Sequence, residues 1–163
     1  MKKILFCSII ILITSVFNIS AQDKKSIINL GVGALYGVGG SISYDYRIKN
    51  FNDRFALTVG GYIGVQRGDG YSMMGGDKIY FWDYKSLISP RVGCVYSLSR
   101  HFDIYAALMP GFMEDVKYEK PKKSYFFTGI TAGLRVKLFN DVYLFTEEGY
   151  NILCLNAGLA FKF

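Results

Sequence analysis

With 163 residues the chain has room for one domain and hardly for two once a leader segment is set aside. Nineteen Lys and Arg against thirteen Asp and Glu give a formal charge of +6, a mild surplus that suits anionic lipid headgroups. The basic residues are scattered, which argues against a nucleic-acid partner, and three cysteines with one histidine describe neither a disulfide scaffold nor a transition-metal cluster.

Residues 1–21 have the parts of a secretory signal peptide. Lys2 and Lys3 form a positive start, Ile4 to Phe17 an apolar run, and Ser20 and Ala21 offer small residues at a cleavage point before Gln22. The apolar run is shorter than the ~20 residues a spanning helix needs. Cleavage leaves 142 residues, a charge reduced from +6 to +4 and the cysteines Cys94 and Cys154. No later stretch of ~18 apolar residues exists, so any membrane crossing falls to strands.

From residue 27 onward, apolar residues alternate with small or polar ones between turn signals, the period of β-strands. The pattern predicts strands over 27–36, 41–48, 54–66, 86–98, 102–113, 125–138, 142–149 and 154–163. The sixth is the clearest: Phe126, Ile130, Ala132, Leu134, Val136 and Leu138 share one face, while Gly129, Thr131, Gly133, Arg135 and Lys137 share the other. In the seventh, parity leaves Glu147 and Glu148 interchangeable.

Alternation alone does not say which face is inside. Three features favour a membrane barrel over a soluble one. The polar face carries Gly, Ala, Ser and Thr with occasional charges, which suits a narrow lumen better than a wetted sheet. Tight links at 49–53, 99–101 and 139–141 alternate with long polar loops at 67–85 and 113–124. Aromatics such as Tyr44, Tyr46, Phe51, Phe55, Phe102, Phe126, Phe139 and Phe161 fall near strand ends, where interfacial girdles sit. The expected fold is an all-β, eight-stranded antiparallel up-and-down transmembrane barrel over residues 22–163. On this map Cys94 faces lipid and Cys154 the lumen on distant strands, too far apart for a disulfide.

The cleavage region Ser20 to Gln22, the alternating strands and the closing strand ending in Phe163 together resemble small outer-membrane β-barrels of the OmpA/OmpX type. The likeness is greatest to the outer membrane protein beta-barrel domain proteins of Bacteroidetes-like bacteria. It implies location in the cell outer membrane, with Phe161 and Phe163 as a signal read by the outer-membrane assembly machinery.

Catalytic chemistry is hard to find. Lipid-modifying barrels use a His beside a Ser, Asp or Glu at the outer rim, whereas His101 falls in a tight turn at the other end. The Gly-rich stretch 31–40 lacks the Lys-Ser/Thr ending of a phosphate loop, and Arg67-Gly68-Asp69 is a three-residue match in an exposed segment. No cofactor is expected.

By parity Asp45, Arg47, Arg91, Asp103, Arg135, Lys137 and Glu147 fall on or near the lumen face, where charges must pair. A network plugging the lumen is expected, or else a polar lining for a narrow solute path. Tyr80, Trp82, Tyr84, Lys120, Lys122 and Lys123 are the expected contacts of the two long loops. Lipid, lipopolysaccharide and a surface protein are the expected partners. The expected role is therefore non-enzymatic, structural or adhesive. A narrow channel is the alternative, and a lipid-modifying enzyme stands behind both.

Overall fold

The computed structural model describes residues 25–34, 37–74, 77–116, 122–150 and 155–163, with backbone alone for Ala34, Gly37, 68–74 and 77–83. The leader, Lys120 and Cys154 therefore lie outside the described residues.

Eight strands run in chain order: β1 (Ser26–Ala34), β2 (Gly37–Asn50), β3 (Phe55–Met74), β4 (Asp77–Ser99), β5 (Phe102–Val116), β6 (Lys123–Phe139), β7 (Val142–Tyr150) and β8 (Leu155–Lys162). Each pairs antiparallel with its chain neighbours, and β8 returns to β1, closing the barrel. Ser26 and Phe163 exchange both backbone hydrogen bonds at 2.9 Å, which finishes that seam at one end.

The distribution of polarity is inverted relative to a water-soluble protein. Val32, Ile42, Ile63, Ile88, Leu108 and Ile130 are exposed on the outer wall. Asn29, Asp45, Arg91, Arg135, Glu147 and Asn156 are buried inside. Such a wall is favourable only against hydrocarbon, and a closed ladder leaves no backbone edge to satisfy there. Along β6, exposed aromatics at Phe126 and Phe139 bound the apolar wall. At about 3.3 Å per residue and a tilt near 45°, their separation across a membrane is about 30 Å, the thickness of a hydrocarbon core.

One end is built from tight turns at 51–54, 100–101 and 140–141. Asn52 Oδ1 accepts hydrogen bonds from the Arg54 and Phe55 amides at 2.9 and 2.7 Å, and Ser99 Oγ accepts one from the His101 amide at 3.2 Å. Asn140 takes a left-handed φ of 43°, a conformation asparagine tolerates. The register shifts in all three hairpins at this end, between Arg47 and Lys49, Ser97 and Ser99, and Lys137 and Phe139. The extra residues Ile48, Leu98 and Leu138 are all exposed and apolar. These bulges twist the strand ends without breaking the outer wall.

Glycine is required where strands cross closely. A Cβ on Gly60 would collide with the Tyr44 carbonyl, and one on Gly133 would lie 2.6 Å from the Tyr105 ring. Between β4 and β5 the ladder is interrupted where Pro90 and Pro110 stand opposite each other by register, since neither carries an amide proton. Ser89 Oγ lies 2.6 Å from the Pro90 carbonyl and 2.9 Å from that of Pro110.

The opposite end differs from the sequence expectation. Residues 67–85 are not a loop: β3 and β4 continue through them, paired from Arg67↔Tyr84 to Met74↔Asp77. Tyr80 and Trp82 are thus strand residues, in register with Tyr71 and Asp69. The polar, aromatic composition without clear alternation reads as a loop, whereas Gly75-Gly76 at its centre is a hairpin turn signal. The 113–124 loop likewise shortens, because β5 reaches Val116 and β6 begins at Lys123.

Candidate functional site

The lumen is the most distinctive environment in the chain. Asp45 on β2, Arg91 on β4, Arg135 on β6 and Glu147 on β7 project into it from alternating positions, each at most 3% exposed. Arg91 Nη2 donates to Glu147 Oε2 at 2.7 Å, and Arg135 Nη2 donates to Asp45 Oδ2 at 2.9 Å. Arg91 Nε also sits 3.0 Å from Asp45 Oδ1, an ion contact whose angle does not make it a hydrogen bond. Two cations and two anions leave the group neutral, which burial demands.

Neutral side chains complete it. Arg135 Nε donates to Asn29 Oδ1 at 3.1 Å, and Asn29 Nδ2 donates to Ser43 Oγ at 2.7 Å. Tyr105 presents its ring to both guanidiniums, 3.9 Å from Arg135 Cζ and 5.5 Å from Arg91 Cζ. Gly133 leaves the space that ring occupies.

Apolar layers lie on either side along the barrel. Tyr62, Leu87, Met109, Met113 and Phe127 cluster toward the long-hairpin end. Ile27, Tyr143, Phe145 and Ala160 cluster toward the tight-turn end. The charged layer is therefore enclosed, and its pair interactions act in a medium poorer than water.

The seven charges expected as one network divide into two groups. Asp45, Arg91, Arg135 and Glu147 meet at the centre, whereas Arg47, Asp103 and Lys137 line the tight-turn mouth. The reason is distance along the strand. Arg47 and Lys137 share the inward parity of Asp45 and Arg135 but lie one inward position nearer the turn, beside the bulges. Glu147 faces in and Glu148 out, which resolves the parity of β7.

Asn29, Tyr105 and Asn156 were not singled out by sequence. Parity alone places them on the lumen face, but a search confined to charges passes over them.

Of the expected outer contacts, Tyr84, Lys122 and Lys123 are exposed. Lys122 pairs with Glu114 at 2.8 Å on the surface. Tyr80 and Trp82 are placed by backbone register only, and Lys120 lies outside the described residues. Phe161 pairs by register with Ile28 and Val142, and Phe163 closes the seam with Ser26. His101 is exposed in its turn, where its carbonyl accepts the Lys137 amide at 2.8 Å. Cys94 is a free thiol on the outer wall, beside Ala106 and Ala132.

No family model matches the sequence, and no curated protein matches it. Solved structures do match in fold. A designed transmembrane β-barrel is 15% identical, with a TM-score of 0.53, over 89% of this chain and 100% of its own. Ail, the attachment invasion locus protein of Yersinia pestis, is similar in two structures. In a phospholipid bilayer nanodisc it is 16% identical, with a TM-score of 0.56, over 86% of this chain and 100% of Ail. In complex with the heparin analogue sucrose octasulfate it is 14% identical, with a TM-score of 0.52, over 85% and 95%. At these identities the likeness is one of architecture, and the architecture is the small eight-stranded transmembrane β-barrel.

Proposed function

We propose that the protein is a non-enzymatic barrel of the cell outer membrane that acts in surface attachment through its long β3–β4 hairpin. One observation carries this reading. Among the described residues, β2 ends its pairing opposite Gly68 and β5 opposite Tyr84, so the six pairs from Asp69↔Trp82 to Met74↔Asp77 have no described strand beside them. They form a two-stranded ribbon about 20 Å long at about 3.4 Å per residue. Ribbons of this kind are marginal in water by themselves, and their unpaired edges suit a docking partner.

The sequence of the ribbon, with Tyr71, Met73, Met74, Tyr80, Phe81 and Trp82, is rich in residue types that anchor interfaces. Lys117, Lys120, Lys122 and Lys123 follow in the neighbouring connection and strand start. Lysines beside aromatics suit a polyanionic glycan or lipopolysaccharide, and the Ail complex with a heparin analogue lends that chemistry a structural parallel. Residues 1–21 serve as the export signal and Phe161 with Phe163 as the assembly signal, as in outer-membrane barrels of the OmpA/OmpX type. With tight turns inside and the ribbon outside, the orientation follows the rule for such barrels. The packed central layer disfavours the channel reading.

The test is cell attachment to immobilised heparin. Cells displaying the intact barrel should bind, and cells carrying a barrel with 69–82 replaced by a two-residue turn should not. Equal attachment by both, with equal surface amounts, would refute the role of the ribbon.

A further inference from the structure

We infer that the tight-turn mouth of the barrel is a binding site for an anion carrying phosphate or carboxylate groups. Two adjoining pockets of about 290 and 460 Å³ share Arg47, Tyr143 and Lys162 and together form a vestibule at that end. Lys25 and Lys137 line the first pocket, Arg54 and Arg100 the second. Against these six cations stand Asp53, Asp103 and Asp141, a surplus of three positive charges.

The surplus is built into the strands. Lys137 and Lys162 occupy the last inward positions of β6 and β8, and Arg47 the inward position just before the β2 bulge. Two of them immediately precede a bulge. Among the described residues none of the three has a carboxylate within ion-pair distance.

The central layer cannot serve them. Its four charges neutralise one another, and the cluster containing Tyr143 and Phe145 lies between it and the mouth. The vestibule is thus a cup with an apolar-backed floor, and like charges gathered there are most favourable with an anion among them. Tyr143 adds a phenol to the lining of both pockets. An oligophosphate chain or a phospholipid headgroup from the adjacent leaflet presents the chemistry this cup would hold.

The full mature barrel in neutral detergent would be titrated with sodium tripolyphosphate by calorimetry. Saturable binding is expected, weakened at least tenfold in the Arg47→Gln/Lys137→Gln double variant and changed less than twofold in Lys49→Gln. Lys49 lies at the same end but is exposed on the outer wall, over Phe51. Heat-modifiable gel migration would verify that each variant is folded, and the single variants Arg47→Gln and Lys137→Gln provide a second series. Repeating the titration in phosphatidylcholine nanodiscs with and without phosphatidylglycerol separates the sources. Competition by the anionic lipid assigns the site to a headgroup, and undiminished binding assigns it to a soluble anion. Absence of saturable binding by the unsubstituted barrel, or equal binding by the double variant, would overturn the inference. The latter would place the anion at the lysines near the ribbon instead.

Discussion

Replacing Asp45 with Asn tests the central layer directly, because this carboxylate touches both guanidiniums. Its oxygens lie 3.0 Å from Arg91 Nε and 2.9 Å from Arg135 Nη2. Unit charges about 4 Å apart attract by about 4 kcal/mol at an effective dielectric of about 20, before desolvation is counted. The substitution leaves Arg91 with Glu147 and leaves Arg135 without a carboxylate. Breaking a buried pair in this way costs about 3–5 kcal/mol, since the surviving charge stays buried and unpaired. The assay is urea unfolding of the barrel in lipid vesicles, followed by the shift between folded and unfolded gel mobility. The folded-to-unfolded ratio should fall by roughly 2.2 to 3.7 decades, at about 1.36 kcal/mol per decade. Adding Arg135→Gln should recover part of the loss by removing the stranded cation. A loss under about 1 kcal/mol, no larger than the surface pair Lys122–Glu114 would give, would show that the lumen is wet and the layer is not a plug.

Five further substitutions at four positions read other levels of the structure. Glu147→Leu should destabilise by about 3 kcal/mol or more, whereas Glu148→Leu should be neutral or stabilising in bilayers, because it relieves a carboxylate on the lipid-facing wall; equal effects in urea unfolding would reject the orientation of β7. Gly133→Ala should press on both the Thr146 carbonyl and the Tyr105 ring and cost about 1–3 kcal/mol by overpacking, seen as a lower midpoint in the same assay. Asn140→Gly should leave stability within about 0.5 kcal/mol, while Asn140→Val should lower it by about 1 kcal/mol or more, since a β-branched residue is strained at a φ of 43°.

The fold was legible because it rests on period and punctuation. Ile104, Leu108 and Phe112 alternate with Asp103, Tyr105 and Met109, and the structure exposes the first set and buries the second. Strand extent was less legible. Beyond residue 66 the chain loses its clear alternation and exchanges aliphatic residues for Gly, Asp, Tyr and Met, so the sequence reads as a loop where pairing continues to Met74. The site was legible by parity as a set of inward charges, but parity carries no height. It could not separate Asp45 from Arg47, although that single inward step takes a residue from the neutral centre to the cationic mouth. Parity puts Asn29 and Tyr105 on the lumen face but assigns them no role, because their roles depend on β6 delivering Arg135 against them across the lumen.

That separation by height also constrains what the barrel does. A layer in which Arg91 and Arg135 share Asp45 is satisfied only when all its members are in place, so thinning it for passage exposes buried charge. Apolar side chains on both sides raise that penalty further. The two ends are therefore chemically insulated from each other. The ribbon at one end and the cationic cup at the other are free to meet different partners, and a change at either need not disturb the centre. This is why the Asp45 substitution separates the readings so sharply. Under the plugged architecture it damages stability while leaving attachment by the surviving folded barrels intact, whereas a solute path through the lumen would register it first as altered conductance.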